Sequence, residues 1–232
     1  MNRQNMTVEN TPALLVVEFA VRGLARFLSH AETLRVFQRA LVRAKVNVGY
    51  TCGFNPRPGL SLPLPRSVGL ETEADLMCVR LEPAGTTADS LRLKRDLAAQ
   101  LPQGFELLSV KTESRRATFQ PRQVTYLLRP TPATEHESRT LTNAADAIIK
   151  SPSLKIRRQH AEQPAKTQTV DVRPFIESIR IEPPNMVVCC KISRGRSVRV
   201  DEILRLLELD ADMLAAPVRR TDVKWEKITK DS

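Results

Sequence analysis

The spacing of hydrophobic positions changes repeatedly along the chain, and each change marks an element. Residues 14–19 are a β-branched and apolar run, which predicts a strand, and residues 26–28 extend it after a turn or bulge at Gly23. Leu34, Phe37, Leu41 and Ala44 then recur three or four positions apart, the spacing of one buried helix face. Ser29-x-x-Glu32 stands at the start of that helix as a capping box, in which hydroxyl and carboxylate satisfy free backbone donors reciprocally. Residues 47–50 begin another strand, and Pro56, Pro58, Pro63 and Pro65 exclude helix from the loop that follows. A strand over 76–81 precedes a helix opened by Thr86-x-x-Asp89, which runs through Leu91, Leu97 and Leu101 and stops before Pro102 and Gly104. A strand over 105–110 completes a β-α-β-β-α-β order, the split arrangement of a ferredoxin-like domain.

Residues 112–121 are polar, with Arg115, Arg116 and Pro121, and read as a linker. Beyond them the plan repeats. A strand over 123–128 and a helix over 138–149 lead to short strands at 154–158 and 169–173, a hairpin across Pro164. Strands follow at 176–182 and 186–192. An amphipathic helix over 200–209 comes after the Arg194-Gly195-Arg196 turn, and residues 218–225 form the last strand. The pattern predicts an α+β chain of two tandem ferredoxin-like units, residues 12–111 and 122–227. The alternative for the second is an irregular α+β domain sharing a sheet with the first.

Charge narrows the classes of partner. Lys and Arg total 36 against 26 Asp and Glu, a net charge of +10. Such an excess favours an anionic partner through its summed field and counterion release; the plainer alternative is a basic, soluble surface. A membrane partner would need a basic amphipathic helix with exposed large apolar residues, or a spanning run of about 18 apolar residues, and neither pattern is present. Cys52, Cys78, Cys189 and Cys190 lack paired metal spacing, and adjacent Cys189 and Cys190 in a strand point to opposite faces. No metal, cofactor or disulfide framework is expected. Residues 1–10 are polar, without an apolar signal core, so the expected compartment is the cytoplasm.

Candidate chemistry concentrates in the first half. Arg35, Arg39 and Arg43 recur at i, i+4 and i+8, one stripe away from the core face, and like charges there repel by about 0.2–0.5 kcal/mol per pair unless an anion meets them. Phosphate is the natural partner of that stripe; the alternative is a solvated face partly paired with Glu32. His30, in the first helical turn, is a candidate general acid/base, with Tyr50 or Arg57 as a second proton carrier or charge stabiliser. The alternative for His30 is a hydrogen bond to loop backbone. His136 and His160 lie in the other half. Gly53, Pro56, Pro58 and Gly59 surround Phe54, Asn55 and Arg57 in a rigid loop of the kind that presents side chains. Phe54 is expected to plug the core beneath the loop, with stacking on a base as the alternative, Asn55 to read a base edge or cap a turn, and Arg57 to contact ligand. Aromatic residues make up only 4% of the chain, which argues against a broad base-stacking platform. In the second half Arg157 and Arg173 lie on predicted strands, Lys155 shares a face with Arg157, and Arg194, Arg196 and Arg199 cluster at the Gly195 turn.

Phe27-Leu28-Ser29-His30-Ala31-Glu32-Thr33-Leu34-Arg35, then Arg43-Ala44, Gly53-Phe54-Asn55-Pro56-Arg57-Pro58 and Gly69-Leu70-Glu71-Thr72-Glu73 give the chain a family resemblance. It resembles uncharacterised bacterial domains linked to radical SAM proteins, fused behind the radical SAM region or encoded beside it. The likeness continues more weakly through Lys155-Ile156-Arg157, Asp171-Val172-Arg173-Pro174 and Arg219-Arg220-Thr221. Ala31-Glu32 replaces the Leu-Asp common in members, and Thr51-Cys52 stands where they tend to have Ser; both changes keep a hydroxyl and an acidic cap. The resemblance implies a fold, a radical SAM protein as partner and genomic company with RNA or ribosome-related genes, but no assigned reaction. The chain itself lacks the three-cysteine motif of a radical SAM cluster. A looser likeness, at the level of fold, is to the tandem ferredoxin-like endoribonucleases that process CRISPR repeat RNA, whose catalytic histidine often lies near the first helix. The expected function is an RNA-binding accessory that positions structured RNA, tRNA or rRNA, for a radical SAM partner. The binding residues would be Arg35, Arg39, Arg43, Asn55, Arg57, Arg157 and Arg173. The alternatives are a metal-independent endoribonuclease using His30 and Tyr50, with Arg57, and a protein-only adaptor.

Overall fold

A computed structural model describes residues 13–52, 54–82, 90–131, 134–159 and 167–229. They form two compact units: one drawn from residues 1–68, 74–120 and 227–232, the other from 69–73 and 121–226.

In the first unit β1 (Ala13–Val21), α1 (His30–Arg43), β2 (Leu60–Ser61), β3 (Glu71–Arg80), α2 (Ser90–Ala98) and β4 (Phe105–Ser114) follow in that order. The sheet runs β4-β1-β3, and β2 pairs with the end of β3, Leu60 opposite Val79. β1 and β4 are antiparallel from Ala13↔Ser114 to Val21↔Phe105. This β-α-β-β-α-β chain with its fourth strand beside the first is ferredoxin-like. β1 is apolar except at Glu18, which accepts from the Ser109 hydroxyl at 3.1 Å, because the strand is central and covered on both sides. The core gathers Leu15, Val17, Leu41, Met77, Val79 and Leu97 around Phe19, which meets Phe37 edge-on at 4.7 Å. Phe37 in turn meets Phe105 at 5.6 Å.

Three local expectations are corrected here. Residues 26–28 do not extend a strand: after Gly23, at φ 61°, the chain makes a 3-10 turn over Gly23–Phe27. The turn is held from a distance, since buried Arg66 donates to the carbonyls of Arg26 (2.7 Å) and Leu28 (3.1 Å). Residues 47–50 make only isolated bridges, Val48 to Leu81 and Tyr50 to Pro58. The supposed linker 112–121 is mostly strand, in which β4 ends at Ser114 and β5 (Ala117–Leu128) begins three residues later after a tight turn. The Thr86-x-x-Asp89 box, Gly53, His160 and Pro164 lie outside the described residues.

From Pro121 onward β5 belongs to the second unit, followed by α3 (Glu135–Lys150), β6 (Lys155–Gln159), β7 (Thr167–Asp171), β8 (Ile176–Glu182), β9 (Asn185–Lys191), α4 (Val200–Leu206) and β10 (Arg219–Thr229). Its sheet runs β10-β5-β9-β8, again ferredoxin-like, with the separate β6-β7 hairpin inserted between the first helix and the second strand. Glu71 and Thr72 pair in parallel with Arg219 and Arg220, which is why residues 69–73 belong to this unit. β9 alternates as expected, with Met186, Val188 and Cys190 buried while Cys189 faces the other way and donates to Glu177.

Both long helices open on capping boxes. The Ser29 hydroxyl accepts from the Glu32 N–H and the Glu32 carboxylate accepts from the Ser29 N–H at 2.8 Å; Thr134 and Glu137 repeat the arrangement on α3. Ser29→Ala is expected to cost about 1 kcal/mol, the usual loss of an N-cap hydroxyl. Chemical denaturation checks this, and an unchanged midpoint would show that tertiary packing alone fixes the helix start.

Candidate nucleic-acid interface

The arginine stripe of α1 divides in two. Arg43 donates to the Gln100 carbonyl at 2.8 Å, so its guanidinium is tied to the chain that follows α2. Arg35 and Arg39 are exposed and make no ion pair or side-chain hydrogen bond with the described residues. Glu32 is engaged at the cap. Bonds from the Ser29 hydroxyl and backbone, with a smaller contribution from the Arg35 charge, hold its carboxyl below the usual glutamate range. The helix therefore presents two cations to solvent.

The loop next to α1 is pinned at its stem. Gly49 N–H donates to Arg80 O, Gly59 N–H to Gly49 O and Arg80 N–H to Gly59 O, each at 2.7 Å. Gly59 is needed there, because a Cβ would lie 3.0 Å from both the Arg80 Cβ and the Gly49 oxygen. Above the stem, Thr51 N–H donates to Arg57 O at 2.9 Å and Arg57 N–H to the Thr51 hydroxyl at 3.0 Å, closing the loop. Phe54 does not plug the core: its ring is fully exposed at the loop tip, flanked by exposed Asn55, Pro56 and Arg57. The closure holds the tip away from the interior, where Phe19, Phe37 and Phe105 already fill the space. Tyr50, 57% exposed, shares a small cleft with Gln38, Val42 and Pro58. Arg35 and Arg39 lie three positions before Gln38 and Val42, in the neighbouring row of the same helix. Arg35, Arg39, Tyr50 and the loop thus border one side of α1.

His30 is the first residue of α1, half-buried, and its ring makes no hydrogen bond with the described residues. Tyr50 meets the helix eight to twelve residues further on, about 12–18 Å along its axis. The two candidate catalytic groups are not brought together.

In the second unit Lys155 and Arg157 share the exposed face of β6. Arg173 is committed to structure: its guanidinium donates to the carbonyls of Ile149 (2.6 Å), Ile176 (2.7 Å) and Ser151 (3.1 Å), closing the end of α3. Asp171 accepts from the backbone N–H groups of Leu154 (2.8 Å) and Arg173 (3.1 Å), which holds its carboxyl below the usual aspartate range. Segments far apart in sequence meet here. Lys155 pairs with Asp171 across β6-β7, and Arg219 donates to Glu73 at 3.2 Å beside the Glu71–Arg219 pairing. Arg158 and Glu202, which no motif singled out, form a two-pronged ion pair with both bonds at 2.7 Å. The period-two pattern of β6 held the only local signal, since it puts Arg158 on the inner face with Ile156.

Among the described residues no group of three or more His, Cys, Asp or Glu side chains is arranged to hold a metal ion, and no helix is long and apolar enough to cross a membrane. The protein is an α+β chain of two ferredoxin-like units whose first unit carries an exposed basic helix beside a pinned aromatic loop. Residues 15–201 match the family described as an uncharacterized protein conserved in bacteria (DUF2344), and the chain belongs to that family. No curated protein matches the sequence. Among solved structures it is similar to a chain of a Cbf5-Nop10-Gar1 complex, at 11% identity and a TM-score of 0.39, over 90% of this chain and 48% of that one. The protein therefore spans about half the length of that chain. It is also similar to an unknown protein from Galdieria sulphuraria, at 12% identity and a TM-score of 0.24, over 94% and 99% of the two chains.

Proposed function

We propose that this protein is a cytoplasmic RNA-binding accessory that positions structured RNA, a tRNA or rRNA, for a partner enzyme of the radical SAM type. The observation that carries the reading is Phe54, fully exposed on a closed loop between Tyr50 and Arg57. Leaving such a ring in water forgoes about 1.5–3 kcal/mol relative to burying it, so a partner that covers it gains that much. A splayed base offers a π face to Phe54, an edge to Asn55 and a phosphate to Arg57. Arg35, Arg39 and the net charge of +10 extend the same electrostatic demand. The radical SAM partner rests on the family resemblance of the Ser29-His30 and Asn55-Pro56-Arg57 segments. The distance between His30 and Tyr50 along α1 gives the endoribonuclease reading no support.

The test is recovery and sequencing of RNA bound by the purified protein across a salt series. Enrichment of one RNA class that falls steeply with salt is expected; indiscriminate or absent binding overturns the reading and leaves the protein-only adaptor. Phe54→Ala is expected to weaken that RNA about tenfold, within the 1–3 kcal/mol of one base–aromatic stack, with no change in melting temperature. Affinity equal to the wild type would remove Phe54 from the interface.

A further inference from the structure

Behind the loop stem, within the first unit, lies a cavity of about 370 Å³. Its size falls in the range of small-ligand pockets, about 300–1,000 Å³. Leu14, Leu60 and Phe119 supply apolar wall, Thr51 and Ser61 supply hydroxyls, and Arg80 and Arg115 supply charge. Among the described residues no carboxylate lines it. Both arginines are exposed, and neither side chain makes an ion pair or hydrogen bond with the described residues. Cys78, also in the wall, adds no negative charge at neutral pH, because burial pushes its thiol up to about 11.

Two uncompensated guanidiniums beside one cavity attract an anion. The apolar wall is unsuited to a bare inorganic anion and asks for a flat, weakly polar group attached to the charged one. We infer that this cavity receives one nucleotide unit, its base against Phe119 and its phosphate between Arg80 and Arg115. The ligand class rests on the RNA-binding reading, while the residues are distinct from Phe54, Arg35 and Arg39. Pro58 lines both this cavity and the Tyr50 cleft, so a strand crossing the stem passes from one to the other.

Calorimetric titration with each free 5′-mononucleotide, with inorganic phosphate and with polyglutamate tests the assignment. It is run on the wild type, on Arg80→Ala/Arg115→Ala and on Phe54→Ala. At least one mononucleotide is expected to bind at least tenfold tighter than inorganic phosphate, to lose at least tenfold in the double variant and to be unaffected in Phe54→Ala. Competition between that mononucleotide and a labelled single-stranded RNA identifies the nucleotide as part of an RNA chain; binding without competition identifies a free nucleotide. Mononucleotides indistinguishable from inorganic phosphate overturn the inference, and polyglutamate binding with the same arginine dependence replaces it with an acidic protein segment. RNA binding that survives in Arg80→Ala/Arg115→Ala while Phe54→Ala loses it leaves the RNA reading standing without the cavity. Mononucleotide binding without any RNA binding does the reverse.

Discussion

Arg158→Ala is expected to destabilise the second unit by about 3–5 kcal/mol, the cost of leaving one member of a buried ion pair alone. Glu202 has a side chain only 1% exposed, whereas Arg158 keeps 16%. Arg158 donates to both carboxylate oxygens and to Ser197 O, all at 2.7 Å, and the Arg199 N–H adds a 2.8 Å bond to Glu202. Without Arg158 the carboxylate keeps that one bond and little water. Glu202→Ala is the milder change, because the freed guanidinium can still reach solvent. Arg158→Met combined with Glu202→Leu should lie much nearer the wild type, since replacing both charges removes the desolvation penalty with the attraction. Denaturant unfolding of the three variants checks the order, and losses below 1 kcal/mol for Arg158→Ala would show that water screens the pair. The pH dependence follows from the same contacts. Burial alone would raise the Glu202 pKa, but the bonds from Arg158 and Arg199 and their charges outweigh it, and the net shift is downward. The contribution is therefore complete above the ordinary glutamate range and is lost as pH falls through the depressed value. Glu202→Gln removes that component of acid destabilisation.

What was legible in the sequence was local. Ser29-x-x-Glu32 and the 3/4 spacing of Phe37 and Leu41 gave α1 its start and buried face, and the order of strand and helix signals gave both ferredoxin-like units. Failures came where a distant residue decides the backbone. The Gly23–Phe27 turn depends on Arg66, some forty positions away, and no periodicity over residues 26–28 records that. The chain turns from β4 into β5 at Arg115 and Arg116, without the Gly or Pro that usually marks a turn, so its sequence reads as a linker. The same division runs through the arginines. Helical spacing placed Arg35, Arg39 and Arg43 on one stripe, but only the fold shows that Arg43 serves Gln100 and Arg173 serves the end of α3. Phe54 misled because an apolar side chain between Gly and Pro reads as a plug, while the Thr51–Arg57 closure that keeps it outside is a backbone feature.

Arg35→Ala/Arg39→Ala/Arg57→Ala is expected to weaken binding of the recovered RNA about 100- to 1,000-fold at physiological salt. Each solvent-screened contact is worth about 1–1.5 kcal/mol, the upper part of the ordinary hydrogen-bond range, so three sum to about 3–4 kcal/mol, and about 1.4 kcal/mol is a factor of ten. If each arginine neutralises one phosphate, the slope of log affinity against log salt also flattens by about 0.7 per contact on a single strand and 0.9 on a duplex. Stability should move the other way or not at all. Arg35 and Arg39 repel each other at i, i+4, and removing both relieves about 0.2–0.5 kcal/mol. Arg43→Ala is the matched control: it removes the same charge from the same helix, but its guanidinium already serves the Gln100 carbonyl. It should lower the melting temperature while changing RNA affinity far less than the triple variant. A uniform loss for every exposed arginine would mean that only net charge is read. If the triple variant binds RNA like the wild type, the RNA is held elsewhere on the chain and this face meets another partner; if neither the variant nor the wild type binds RNA while both co-purify with a radical SAM protein, the protein is an adaptor.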